Sequence, residues 1–262
     1  MTQRFFTIFI AYVIIRSAER QDQKGAWVMK NIGKKKLIAG IILLAFFALW
    51  TYLIQTVDVQ SVGQNGTNIG FASLNTWLHI LTGVHMLIYT MTDWLGLVPI
   101  AVCMGFGFLG LVQLIGRRSL LKVDGDIILL GVYYILVIFG YLIFEMIPIN
   151  YRPIPINGYM EASYPSSTTL LVLSVMPTLS FQAHRRLADR RLILTADIFS
   201  GVFSLFMVVG RTVAGVHWLT DIIGSVILSA GLYLLYYGAV ELMEEHKWNF
   251  RKNYRSSESS AG

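Results

Sequence analysis

The chain has 262 residues, of which 55% are hydrophobic and only 14% are charged. A soluble domain carries roughly 25% charged residues, so this composition indicates an integral membrane protein and argues against a soluble one. The net charge of +6 does not predict nucleic-acid binding, because the basic residues cluster beside apolar runs, as they do at cytoplasmic membrane flanks. The single cysteine, Cys103, excludes an intrachain disulfide.

The beginning and the end of the chain differ from the rest. Residues 1–28 contain an apolar run that is too short to span a bilayer, and a second plausible start follows at Met29. We therefore expect an N-terminal extension over 1–28, a six-span membrane domain over 29–242 and a polar cytoplasmic tail over 243–262. The last residues, RSSESSAG, have a composition typical of disorder.

Six apolar segments have about the length that a hydrocarbon layer of roughly 30 Å requires of a helix. In chain order they are 37–57, 94–115, 127–147, 167–183, 192–210 and 216–235. Residues 73–94, between the first two spans, have the pattern of a helix that lies in the outer membrane interface. The predicted fold is an all-α, polytopic six-span helical bundle with an outer interfacial helix between spans 1 and 2.

Basic residues in the short loops predict the orientation, because such loops stay on the cytoplasmic side. They precede the first span and separate the second from the third and the fourth from the fifth: Lys34, Lys35, Lys36, Arg117, Arg118, Lys122, Arg185, Arg186, Arg190 and Arg191. Both termini are thus predicted to be cytoplasmic. The membrane itself is expected to be a bacterial plasma membrane. Only Arg152 and Arg211 are basic in the outer segments, where topology does not require them.

The stretch GRTVAGVHWLTD places three ionisable residues at the last outer turn. If the sixth helix begins near Val216, His217 and Asp221 share one helix face, and Asp221 can accept a proton from the imidazole. Arg211 provides a permanent positive charge suited to a phosphate oxygen. The structural alternative is a His-Asp hydrogen bond that only satisfies two polar groups at a helix start.

The preceding outer loop favours a phosphate site. It contains Arg152 and then Ser166, Ser167 and Thr168 at the start of the fourth span. Free backbone N–H groups at a helix N-terminus bind anions, although ordinary capping by Ser166 or Ser167 also explains these residues. Two arginines, a helix N-terminus and a His-Asp pair are all predicted at the same membrane face.

These residues resemble the type 2 phosphatidic acid phosphatase superfamily, the lipid phosphate phosphatases related to vanadium haloperoxidases. The third motif of that family, Ser-Arg, five residues, His, three residues, Asp, corresponds to Gly210-Arg211, His217 and Asp221 with its spacing intact. The first motif, Lys, six residues, Arg-Pro, corresponds to Glu145 and Arg152-Pro153, and Pro-Ser-Gly-His corresponds to 165–168. The resemblance covers roughly residues 37–235.

The resemblance implies a hydrolase that acts through a phosphohistidine. His217 would be the nucleophile, Asp221 would orient it, and Arg152, Arg211 and the Ser166 region would bind the phosphoryl oxygens. No metal or cofactor is implied. The substrate would be a lipid phosphate or an isoprenoid diphosphate at the outer leaflet, with membrane lipids as the other partners.

Three positions depart from the family pattern. The lysine is Glu145, the histidine of the second motif is Thr168, and the serine before the arginine is Gly210. Threonine does not replace a general acid at neutral pH. Glu145 could pair with an arginine or face an amine on the substrate, and His79 or His85 in the interfacial segment could supply the missing acid.

Two alternative functions follow from these departures. One is a catalytically silent relative that binds or transports a lipid phosphate, and the other is a phosphotransferase with an acceptor other than water. Asp93 and Asp197, near membrane boundaries, are expected to be solvated or capping residues.

Overall fold

The computed structural model describes the backbone of residues 32–259 and the side chains of residues 32–248. The predicted extension over 1–28 lies outside this part. Eight α-helices and no β-strand occur among the described residues. The helices are α1 (Ile32–Thr56), α2 (Ala72–Thr82), α3 (Met86–Leu95), α4 (Leu97–Arg117), α5 (Gly125–Met146), α6 (Ser167–Arg186), α7 (Arg190–Val213) and α8 (Leu219–Ser259). The protein is therefore all-α, as predicted.

Five segments are long and apolar enough to cross a membrane: α1, the α3–α4 segment Met86–Arg117, α5, α7, and α8 as far as Trp248. The fourth predicted span, which is α6, falls outside this group because its sequence is more polar. It packs against α4, α5, α7 and α8, and it buries Ser174, Thr178 and Gln182 almost completely. Since α6 meets protein rather than lipid on most sides, polar residues are tolerated there. The six-span membrane bundle is thus arranged around α6.

Helices α1 and α8 form the most extensive helix pair in the bundle. A Cβ atom on Gly40 would lie 2.8 Å from Leu235, and one on Gly231 would lie 2.9 Å from Leu44. Small residues allow membrane helices to approach closely in this way. The first and last described helices therefore close the bundle beside a core formed with α5 and α6.

The predicted interfacial helix is two helices. It is broken between α2 and α3, where Gly83 adopts a positive φ of 69°. Trp77 and Leu87 remain highly exposed on either side of the break, as expected for a segment at a membrane surface. The backbone N–H of His85 donates to the carbonyl of Ala214 at 3.1 Å. The break thus joins the interfacial segment to the turn between α7 and α8.

The C-terminal segment is helical further than predicted. Helix α8 continues to Ser259, so the predicted boundary at residue 242 falls within it, and residues 255–259 are helical rather than disordered. The sequence after Gly238 contains neither Gly nor Pro up to this point and mixes acidic and basic residues. Such a composition supports helix propagation and i,i+4 charge pairs.

Candidate active site

The turn between α7 and α8 carries His217. Helix α8 begins at Leu219, so His217 precedes the helix and does not share a face with Asp221 as predicted. Gly215 has a φ of 69°, and a Cβ there would lie only 2.0 Å from the carbonyl oxygen of Gly83. Only glycine fits both this conformation and this contact. The close contact with the α2–α3 break therefore fixes the path of the chain just before His217.

A backbone carbonyl orients the His217 ring. Nδ1 lies 3.1 Å from the carbonyl oxygen of Ser163 and 3.7 Å from Oδ2 of Asp221. The direct hydrogen bond predicted between His217 and Asp221 is therefore not formed. Because a carbonyl only accepts, Nδ1 carries the proton and Nε2 has a free lone pair. Nη2 of Arg211, 3.4 Å from Nε2, is placed to donate to it, consistent with this tautomer.

Asp221 connects two parts of the site. Its carboxylate is fully buried, accepts the backbone N–H of Trp218 at 2.9 Å and accepts Nδ2 of Asn150 at 3.2 Å. The first bond stabilises the start of α8, and the second ties that start to the α5–α6 loop. Asp221 therefore supports the turn that carries His217.

Arg152 and Arg211 converge on one aromatic ring. The guanidinium groups of Arg211 and Arg152 lie 5.0 and 5.9 Å from the ring centre of Tyr89. Arg152 pairs with Glu161 at 3.1 Å, and Arg211 lies 3.7 Å from Asp93. Asp93 is thus close to an arginine rather than only solvated. Nη1 of Arg152 and Nε of Arg211 are buried and have no hydrogen-bond partner among the residues that the structure describes. An oxyanion would satisfy such donors.

The N-terminus of α6 lies beside these groups. Ser166 is fully buried, and its hydroxyl bonds to that of Thr169 instead of capping the helix. Its carbonyl accepts a hydrogen bond from the Ser225 hydroxyl, which ties α6 to α8. Ser167 is half-buried and lines the adjacent cavity. Thr168 does not line this cavity, and its methyl group lies towards Gly96.

A cavity of about 240 Å³ joins these elements. Its lining comprises Tyr141, Phe144, Glu145, Arg152, Glu161, Ala162, Ser163, Tyr164, Pro165, Ser167 and His217. Glu145 is exposed at the end of α5, and Glu161 rather than Glu145 pairs with Arg152. Neither His79 nor His85 lines the cavity. The ring of His79 lies near Trp218, and Nε2 of exposed His85 contacts the carbonyl of Thr82.

The surroundings of His217 favour a neutral imidazole. Burial holds its pKa well below the ordinary value, and the positive charges of Arg152 and Arg211 lower the pKa further. The hydrogen bond to the Ser163 carbonyl opposes these effects. A neutral ring with its lone pair on Nε2 is the form that can attack phosphorus.

Tyr164, which sequence reasoning missed, holds the Ser163 carbonyl in place. Its side chain is 1% exposed, stacks on Phe47 at 6.0 Å and hydrogen-bonds Thr51 at 2.8 Å. A Cβ on Gly224 would lie 2.5 Å from the tyrosine ring, so α8 leaves space for it. No side-chain pattern in the sequence indicates that a backbone oxygen beside this tyrosine orients the histidine.

The family model of the PAP2 superfamily matches residues 126–243, which run from the start of α5 into α8. This segment belongs to the PAP2 superfamily. It contains the α5–α6 loop, α6 and the turn with His217, so the resemblance drawn from the three motifs is confirmed. A comparison with curated proteins gave no match.

Beyond the matched PAP2 segment, the whole bundle is similar to one solved structure. This is a transmembrane PAP2 type phosphatidylglycerolphosphate phosphatase from Bacillus subtilis, 17% identical in sequence, with a TM-score of 0.57. The similarity covers 77% of this chain and 96% of the other. It extends the similarity in fold to helices before residue 126 and supports the assignment as an integral membrane protein.

Proposed function

We propose that this PAP2 protein is a membrane phosphatase that hydrolyses a lipid phosphate or diphosphate at the outer leaflet. One observation carries the proposal: His217, with its lone pair on Nε2, faces the same cavity as Arg152, whose Nη1 has no partner. Nucleophile and phosphate ligand are thus adjacent. The name of the Bacillus subtilis structure gives the same class of reaction for a protein of this fold.

The reaction would occur in two steps. Nε2 of His217 attacks phosphorus, the phosphorus–oxygen bond to the leaving group breaks, and Arg152 and Arg211 stabilise the developing charge. Water then hydrolyses the phosphohistidine and releases phosphate. The Ser163 carbonyl keeps the proton on Nδ1 before the attack and continues to accept it as the ring becomes positive, while Asp221 supports the turn that carries the ring.

The position of the cavity fits a lipid substrate. Tyr141 and Phe144 line it from α5, while Leu142 and Ile143 on the same helix are 46% and 39% exposed. The head group can occupy the polar cavity while its hydrocarbon chain follows the apolar surface of α5.

The proposal is tested by assaying the purified protein against lipid phosphates and diphosphates, with phosphate release as the readout. We expect His217→Ala to lower turnover by about 10³-fold or more while binding of the lipid phosphate persists. Arg211→Ala should weaken both, because it removes a cation from the phosphate site. Brief reaction with a radiolabelled substrate should trap an acid-labile, base-stable phosphoprotein in wild type only. Equal rates for wild type and His217→Ala would refute the proposal.

A silent lipid-phosphate binder is the second candidate. It is favoured by the position of Thr168, which replaces the family's second histidine and does not line the cavity. The same measurements separate the two functions, since a silent binder would bind lipid phosphates but release no phosphate and form no phosphohistidine.

A further inference from the structure

The charges around the cavity do not match a simple anion. Arg152 is 8% exposed and has a buried Nη1 without a partner, which indicates an anionic ligand. Two guanidinium groups, those of Arg152 and Arg211, lie at the site. The cavity lining supplies two carboxylates, those of Glu145 and Glu161. These four groups together carry no net charge, so a bound phosphate alone would leave the site negative.

The two carboxylates have different surroundings. Glu161 lies 3.1 Å from Arg152 and acts as its counter-ion. Glu145 is exposed in the last turn of α5 and forms no salt bridge with the part of the chain that the structure describes. Glu145 is therefore the carboxylate left to interact with a positive charge from outside the protein.

Aromatic rings near Glu145 would also favour a cation. Tyr141 lies one helical turn before Glu145, and Phe144 immediately precedes it; both line the cavity. Tyr141 hydrogen-bonds Glu145 within the chain. A carboxylate in a cavity that aromatic side chains also line is suited to a protonated amine, which donates up to three hydrogen bonds.

We propose that the substrate is a lipid phosphate whose leaving portion carries a protonated amine a few bonds from the ester oxygen. Arg152 and Arg211 receive the phosphate, while Glu145 receives the ammonium group. The positive group then lies between the phosphate and the carboxylate and removes their repulsion. This inference rests on the proposed function and names the substrate class for the same site.

Two matched compounds test the inference: 2-aminohexadecyl phosphate and 2-acetamidohexadecyl phosphate, which differ in the charge on nitrogen. Phosphate release is measured in EDTA and again with Mg²⁺. We expect wild type to prefer the amine by about tenfold in kcat/KM, mainly through KM, as a charge-assisted contact predicts. Glu145→Gln should remove most of this preference, and Glu145→Lys should reverse it.

Met146→Gln is the matched control. Met146 is adjacent, 82% exposed and outside the cavity lining, so this variant should keep the preference of wild type. Loss of preference in the control as well would show that Glu145 has no specific role and would overturn the inference.

Other results overturn the inference while leaving the phosphatase proposal intact. One is equal kcat/KM for both compounds in wild type. Another is an equal loss of kcat for both in Glu145→Gln, which would make Glu145 a proton donor. A requirement for Mg²⁺ would assign the carboxylates to a divalent cation instead.

If neither these compounds nor a lipid diphosphate release phosphate, the phosphatase proposal fails, and equilibrium binding decides the inference separately. Tighter binding of the amine by wild type, lost in Glu145→Gln and retained in Met146→Gln, would support it. Equal binding of both compounds would overturn it.

Discussion

At the residue scale, the protonation state of His217 depends on the two nearby arginines. Burial and the charges of Arg152 and Arg211 lower its pKa, so the ring should remain neutral as the pH falls through about 6.5, where an ordinary histidine gains its proton. Nitrogen chemical shifts of ¹⁵N-histidine-labelled protein test this between pH 5 and 8. The signal that is absent in His217→Ala should show a proton on Nδ1 throughout this range.

The matched variant for this measurement is Arg211→Gln. Removal of a nearby positive charge should raise the pKa of His217 towards the ordinary value, so any protonation at the acid end of the range should be greater than in wild type. A wild-type signal that titrates near pH 6.5 would contradict the neutral nucleophile.

Thr168 leads to a prediction about the leaving group. Without the family's second histidine, an alkoxide must depart without that acid, whereas a phosphate leaving group is stable unprotonated. General acid assistance is typically worth about 10² to 10⁴-fold, so wild type should hydrolyse a lipid diphosphate faster than the matching monophosphate. Thr168→His should increase the monophosphate rate selectively if the new ring reaches the cavity. Faster hydrolysis of the monophosphate by wild type would contradict the prediction.

The sequence was sufficient to predict which charged residues belong to the site, but it did not predict which residues contact them. Arg152, Arg211 and His217 could be proposed because they lie between apolar spans in segments opposite the basic loops, where topology does not require ionisable residues. The structure brings these three side chains together. Tyr89 could not be identified, because a tyrosine in an interfacial segment looks the same whether it anchors the membrane or holds two guanidinium groups.

At the element scale, the α2–α3 break and the turn before His217 meet in a close backbone contact between Gly83 and Gly215. Gly215→Ala would place a Cβ 2.0 Å from the Gly83 carbonyl oxygen in a conformation with positive φ. The backbone conformation alone costs about 1 to 3 kcal/mol, and the clash requires the turn to move. We expect lower thermal stability in detergent and a large loss of phosphate release.

Gly201→Ala is the control for Gly215→Ala. Gly201 lies within α7, and a Cβ there would have no atom within 4 Å. Alanine is favoured over glycine in a helix by up to about 1 kcal/mol, so this variant should be as stable as wild type or slightly more so. Similar behaviour of the two variants would show that the tight turn does not position His217.

The predicted elements agreed best with the structure for the helices whose exposed faces contact lipid. Hydropathy indicated α1, α5 and α7, since their exposed faces must be apolar. It did not reveal that α2 and α3 are separate, because Gly83 breaks the helix through a contact with a distant turn. It also missed the start of α8 by a few residues, since Asp221 stabilises that start through the backbone of Trp218.

At the scale of the whole molecule, the site lies at one end of the bundle and the basic loops lie at the other. Arg185 and Arg186 contact buried Asp126 at that second end, while His217 and the α5–α6 loop form the first. If the basic end is cytoplasmic, the site faces outwards. The predicted orientation therefore decides from which side a substrate reaches His217.

Single cysteines in a Cys103→Ala background test this orientation. Ser61→Cys and Tyr159→Cys place exposed thiols at the end with the site, whereas Leu121→Cys places one in a basic loop, where Leu121 is 95% exposed. An impermeant thiol reagent should label the first two on intact cells and the third only after permeabilisation. The opposite pattern would place the site on the cytoplasmic side.

The pairing of α1 with α8 has a consequence for biosynthesis. A ribosome completes α1 long before α8, so the first helix enters the membrane with its glycine-lined face still open to lipid. The bundle closes only when the last helix arrives. Nascent chains that stop before α8 therefore present an unsatisfied packing surface, which is a feature that membrane quality-control proteases can recognise. A separately expressed α8 segment should in turn restore such truncated chains by packing against the glycine-lined face of α1.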